Sequence, residues 1–287
     1  MKNATTYQKK VRKLLSGVRD GKGDNLFAED SVRGLLRAVL LADVSDKAAE
    51  KAEHALSREF VDYNELRVAP AKDIVDVIGK DYPGGREKAE MLTSALNAIF
   101  DRTGTLSMEY LAKLPKRELR RHLREIGLDG HASAYVAIAY GAHAVPVDQS
   151  LADLLEMQQC VEPGSSRDDV EGFLEHLIPQ KQAAAAAKFF RKLVETTAKP
   201  LEKFRQSKAE EAARVAAEAR AKAEAAEKAR LDREKKLAEK KAAAEARKAE
   251  VASKKAQREA AAKALAHAKA KARAQKAKPK PRKASKK

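Results

Sequence analysis

The chain changes character near residue 200, and that change limits what it can fold into. Of the 87 residues from 201 to 287, 30 are Ala, 29 are Lys or Arg and 12 are Asp or Glu. Its large apolar residues are too few and too scattered to form a buried face. Ala, Lys, Arg and Glu are nonetheless strong helix formers, and Glu-to-Lys or Glu-to-Arg pairs three or four apart add support. No apolar heptad is sustained, which argues against a coiled coil. Helical from about 202 to 276, the segment would be a solvated rod on the order of 110 Å long at ~1.5 Å per residue. The last residues, "KAKPKPRKASKK", contain Pro279 and Pro281 and no acid. They are expected to be disordered until they meet an anion.

Charge divides at the same place. Residues 1–200 hold 30 basic and 30 acidic residues, so the formal charge of +17 lies wholly in the tail. Residues 251–287 hold 14 basic residues against the single acid Glu259. A tail of this kind attracts polyanions without sequence preference, because each phosphate neutralised releases condensed counterions. Nucleic acid is the first partner to consider, with Lys276, Lys278, Lys280, Arg282 and Lys283 as contacts. A membrane surface would require an apolar helix face, which the tail lacks. No run approaches the ~20 apolar residues of a membrane span. The start, "MKNATTYQKKVRKLL", has no signal-peptide apolar core, which predicts a cytoplasmic, nucleoid-associated protein. A monomer is the expected state. The lone cysteine, Cys160, permits no internal disulfide and cannot alone hold a cluster or a zinc ion. No metal or cofactor is expected.

Residues 1–200 read as a series of helices, so the class is all-α. An N-terminal helix within 1–27 precedes a core over 28–200, a charged Ala-rich helical segment over 201–276 and a basic tail over 277–287. Leu35, Leu36, Val39 and Leu40 mark one apolar stripe, and Ser45-Asp46 is a cap for the next helix. "AKDIVDVIGK" closes at Gly79 and "REKAEMLTSALNAIFDRTG" at Gly104, while Pro115 separates two short helices. "ASAYVAIAYG" is apolar all round, the pattern of a central core helix.

The most informative stretch is "LREIGLDGHASAYVAIAYGAHAVPVDQSLADLL". A helix ending at Ile126-Gly127, a tight turn through Gly130 and a helix from about Ala132 form a helix–hairpin–helix. Glycines let backbone N–H groups approach a phosphate, and the next helix N-terminus carries partial positive charge. An ordinary helix packing unit has the same pattern. Asp148 follows, before a new helix, where a carboxylate commonly caps free N–H groups.

That order resembles the helix–hairpin–helix DNA glycosylase superfamily of the endonuclease III type. There a hairpin of the form L-P-G-V-G-x-K-T-A leads into an apolar helix ending near F-G, and then into V-D-T-H with the catalytic aspartate. The matching residues are Leu123 to Gly127, Ala132 onward, Tyr140-Gly141 and Val147-Asp148-Gln149-Ser150. "LLRAVLLADVSDKAAEKA" is similar to the family's opening segment, and "GGREKAEMLTSALNAI" to its glycine-then-R-K-A stretch. The resemblance covers roughly residues 28–195 and implies two helical lobes around a cleft that receives a flipped nucleotide. It implies Asp148 as the carboxylate that stabilises charge developing on the sugar, or that activates a nucleophile.

Several positions depart from the family pattern. The hairpin reads Gly127-Leu128-Asp129-Gly130-His131, one residue longer and without the Schiff-base lysine, so lyase chemistry by that route is not expected. Hydrolysis needs only the aspartate and a water. Glu125 replaces the first hairpin glycine, Leu41-Ala42-Asp43-Val44 lacks the gap-filling glutamine, and the iron–sulfur cysteines are absent. His131 reads either as a proton donor or phosphate ligand, or as a solvated turn residue. Lys116, Arg117, Arg120, Arg121 and Arg124 form either a phosphate-facing run or a solvated helix face. Two functions follow. One is a monofunctional DNA N-glycosylase with Asp148 as its carboxylate and the tail as a nonspecific tether; the other is a catalytically silent DNA- or nucleoid-binding protein on the same fold.

Overall fold

The computed structural model describes residues 4–18 and 30–276, and divides into two units, Met1–Ala209 and Glu210–Lys287. Among the described residues all regular structure is helical. The helices are α1 (Ala4–Leu14), α2 (Ser31–Leu40), α3 (Asp46–Glu59), α4 (Tyr63–Val68), α5 (Ala71–Ile78) and α6 (Gly85–Thr103), then α7 (Lys116–Glu125), α8 (Gly130–Ala139), α9 (Gln149–Met157), α10 (Arg167–Leu177), α11 (Ala183–Thr196) and α12 (Ala198–Lys276). None is long and apolar enough to cross a membrane.

Local chemistry sets many of the boundaries. The Asp30 carboxylate accepts from Val32 N–H at 2.8 Å to open α2, and the Ser45 hydroxyl accepts from Ala48 N–H at 3.2 Å to open α3. Gly104 takes φ +69°, a left-handed conformation that ends α6 without the strain a Cβ would bring. Pro115 precedes α7 where its missing N–H is not needed.

The first unit buries two separate apolar clusters, giving two lobes. One is built from α2 to α8, with Leu35, Leu40, Leu92, Leu96, Ile99 and Leu123 at its centre. The second joins both ends of the unit: Val11 of α1 packs with Leu154, Leu155, Leu174 and Phe190 of α9 to α11, and with Leu201 of α12. Residues 142–147 run between them outside any helix and are buried apart from the half-buried His143, with Ala142 and Ala144 in the first cluster and Val145 and Val147 in the second. This crossing delivers Asp148 to the boundary of the lobes.

The charged helix starts earlier than its composition suggests. Charge alone puts the boundary at 201, whereas α12 begins at Ala198 and Leu201 is 3 % exposed. Arg205 and Lys208 are tied to α9. A single apolar residue and two cations make the first turns of α12 part of the folded unit. From 206 to 266 every residue is exposed. The basic residues Lys278, Lys280, Arg282 and Lys283 lie outside the described residues, and Lys276 is described as the last residue of α12 only in its backbone.

Candidate active site

Asp148 is the N-cap of α9. Its Oδ1 accepts from Leu151 N–H at 2.8 Å and its Oδ2 from Asp43 N–H at 3.0 Å. Asp43 returns the interaction, its Oδ1 accepting from both Ser150 N–H and the Ser150 hydroxyl at 2.7 Å. Each aspartate therefore satisfies a backbone donor on the other's segment, joining the α2–α3 turn to the start of α9. Asp43 takes φ +58°, a conformation Asp tolerates better than most residues.

The clasp extends into α12. Arg205 donates from Nη2 to the Ser150 hydroxyl at 3.1 Å and from Nε to Asp153 Oδ2 at 2.7 Å. Asp153 is 6 % exposed and also accepts from Gln149 Nε2 at 2.9 Å. Lys208 pairs with Glu156 at 2.7 Å. A buried carboxylate of this kind needs its partners, since removing one leaves a desolvated charge uncompensated.

Beside the clasp lies a cavity of about 380 Å³ lined from both lobes, by Asp43, Asp46, Tyr135, Asp148, Phe190 and Arg191 among others. The start of α12 contributes Leu201 and Arg205 to its wall. Asp148 is half-buried at this wall. Behind the clasp sits Lys88 of α6, 6 % exposed, donating from Nζ to the carbonyls of Leu40 and Ala42. Burial pushes its pKa down to about 8 against the opposing pull of Asp43, Asp148 and Asp129. With two carbonyls on its donors and almost no exposure, this amine closes the end of α2 and does not meet the cavity.

Between α7 and α8 the chain turns through residues 126–129. Gly127 has φ +89°, and a Cβ there would come within 3.1 Å of Ser94 Oγ on α6. The next helix begins at Gly130, two residues before the expected Ala132, because the Asp129 carboxylate caps it by accepting from Ala132 N–H at 2.8 Å. A Cβ on Gly130 would meet Glu171 Oε2 of α10 at 3.2 Å, so an acid stands against the N-terminus of α8. The same position is where a phosphate would have been expected.

Placing His131 on a solvated turn requires correction. It is 3 % exposed and stacks edge-to-face on Tyr135 with ring centroids 5.0 Å apart. Burial lowers its pKa, outweighing the pull of Asp148, Asp129 and Asp43, so the ring is held neutral. The residue lies on the inward side of α8, beyond reach of an external phosphate.

Of the basic run on α7, Lys116, Arg117, Arg121 and Arg124 are exposed. Arg121 pairs with Glu125 at 3.2 Å. Arg120 turns inward and bridges Glu171 at 2.7 Å and Glu175 at 2.9 Å. One guanidinium shared by two carboxylates does not neutralise both, and burial together with Glu175 pushes Glu171 up to about 7.

Sequence reasoning brought Asp148 and the hairpin to one region, and missed Asp43, Ser150, Arg205 and Asp153 as its supporting shell. Asp43 and Ser150 are 107 positions apart, and no local motif pairs residues at such a distance.

No protein-family model matches the chain, and no curated protein matches it. Among solved structures it is similar to a trapped endonuclease III–DNA covalent intermediate, with a TM-score of 0.45 and 19 % identity over 67 % of this chain and 85 % of that one. It is similar also to the 8-oxoguanine glycosylase/lyase of Clostridium acetobutylicum in complex with double-stranded DNA, at 0.47 and 18 % over 67 % of each chain. A third is the H. pylori 3-methyladenine DNA glycosylase bound to 1,N6-ethenoadenine, at 0.45 and 14 % over 68 % of this chain and 97 % of the other.

Proposed function

We propose that the protein binds double-stranded DNA and acts as a monofunctional base-excision N-glycosylase, with Asp148 as its carboxylate. The carrying observation is the position of Asp148 at the wall of an interlobe cavity, its two oxygens oriented by N–H donors from separate segments. The order of hairpin, apolar helix and V-D segment supports the same reading. A base must leave the stack before its glycosidic carbon can be reached. The C–N bond then breaks with its electron pair going to the departing base, which takes up a proton, while water supplies hydroxide to the sugar carbon. A fixed carboxylate beside that carbon offsets the positive charge that develops on the sugar. The lysine-rich tail serves as a nonspecific tether that raises local concentration on DNA.

The testing experiment is base release, read by hot-alkali strand cleavage, on duplexes that each carry one damaged or mismatched base. Full-length protein is compared with Asp148→Asn, and folding of both is checked by thermal melting. Release from one duplex, abolished in the variant, is the expected outcome. A second reading, a catalytically silent DNA-binding protein, is favoured by the Glu171 carboxylate at the hairpin. Salt-sensitive binding with no release from any duplex would assign it.

A further inference from the structure

The cations of α12 are arranged more regularly than a tether requires. Lys240-Lys241, Arg247-Lys248 and Lys254-Lys255 are three basic doublets at seven-residue spacing. Seven residues fall about 20° short of two helical turns, so the doublets stay on one side of the helix and recur every ~10.5 Å. Arg233, Lys236 and Arg258 share that side. Nine of the ten cations from 233 to 258, all but Lys235, lie within an arc of about 140°, and Glu234, Glu239, Glu245 and Glu250 all lie outside it. The stretch is continuous helix and exposed throughout. Of the six doublet residues only Lys254 has an ion pair among the described residues, with Glu250 at 2.7 Å.

Like charges four apart, such as Lys236 with Lys240 and Lys254 with Arg258, weaken a free helix. A polyanion along that face relieves the repulsion. We infer that residues 233–258 of α12 present a preformed docking face for the phosphate backbone of duplex DNA. This rests on the DNA-binding reading above and moves its main contact from the terminal lysines to the helix flank. A lipid surface fits less well, because Leu237 and Val251 are the only large apolar residues in the stretch. Two such side chains four turns apart do not make the continuous apolar face of a membrane-lying helix.

The test uses three full-length proteins and an undamaged duplex of about 30 base pairs. In the first variant the six doublet residues, Lys240, Lys241, Arg247, Lys248, Lys254 and Lys255, are changed to Gln. In the second, Lys276, Lys278, Lys280, Arg282, Lys283 and Lys286 are changed to Gln, so both lose six charges. Circular dichroism checks that helicity is retained. The docking face predicts that the doublet variant loses at least about tenfold in affinity, and that its log–log salt slope falls by about five, near 0.9 per lost contact. The terminal variant should lose clearly less. Equal losses in the two variants would overturn the face and leave a tether set by net charge. Unchanged binding by both would overturn the DNA-binding tail itself. Loss of binding to phosphatidylserine–phosphatidylcholine vesicles, with duplex binding intact, would make the face a lipid surface instead.

Discussion

Asp148 and Asp43 occupy unequal positions in one clasp, and the inequality predicts how each tolerates amidation. Both bonds to Asp43 use the same oxygen, Oδ1. An Asn carbonyl can take that place, and Asn tolerates the left-handed backbone of residue 43, so Asp43→Asn should leave the melting temperature nearly unchanged. Asp43→Ala loses both bonds and adds left-handed strain, at a cost of about 2–3 kcal/mol. Asp148 uses both oxygens, one toward Leu151 and one toward Asp43. Its amide would set an NH2 against one of those N–H groups, so Asp148→Asn should cost about 1–2 kcal/mol. Urea unfolding of the three variants checks the order, and an Asp43→Asn protein as unstable as Asp43→Ala would break it. Of this arrangement the sequence displayed only the cap at Asp148, because an Asp before an apolar-periodic run is a local signal. The reciprocal bond depends on folding that brings residue 43 beside residue 150. The burial of His131 is hidden from the sequence for the converse reason: a glycine-rich turn marks a surface locally, while burial of its next side chain is decided by how α8 packs against α2 and α7.

At the level of elements, the hairpin between α7 and α8 is closed on one side by α10. Arg120 holds Glu171 and Glu175 together there, and Glu171 titrates at about 7 in the folded chain. Its ordinary value is 4.5. The folded state therefore binds this proton more tightly than the unfolded state does. Stability from Glu171 is fully present below about pH 4.5 and is lost as pH rises through 7. Relative to Glu171→Gln, the wild-type melting temperature should fall as pH is raised from 5 to 8. Parallel pH profiles for the two proteins would refute the assignment. Helix boundaries at Gly79, Gly104, Pro115 and Ser45 were legible because each is set by the residue at the boundary. The α10–hairpin contact was not, since a charge periodicity on α7 does not reveal that Arg120 turns inward while Arg117 and Arg121 remain exposed.

On the scale of the whole molecule, composition separates a chain that can bury a core from one that cannot, but it misses where the first unit ends. Ala and charged residues dominate from 201 onward, so no compositional signal marks the three residues that belong to the core. Leu201 is buried against the second apolar cluster, and Arg205 and Lys208 hold Asp153 and Glu156. Ending the chain at residue 200 removes Leu201, whose burial contributes about 2 kcal/mol. It also leaves Asp153 buried without its guanidinium, a further cost of about 1–3 kcal/mol after allowing for the partial exposure of Arg205. Ending it at 209 keeps all three. The exposed remainder of α12 buries no apolar surface and is sustained by propensity and local pairs alone. A 1–209 protein should therefore unfold in urea at nearly the midpoint of the full-length core, and a 1–200 protein about 3–5 kcal/mol earlier in stability. Equal midpoints for 1–200 and 1–209 would show that the first turns of α12 contribute nothing. Comparing 1–209 with the full-length protein separates the two sources of DNA affinity: if the tail supplies it, 1–209 keeps its fold and any base release while losing most of the salt-sensitive binding.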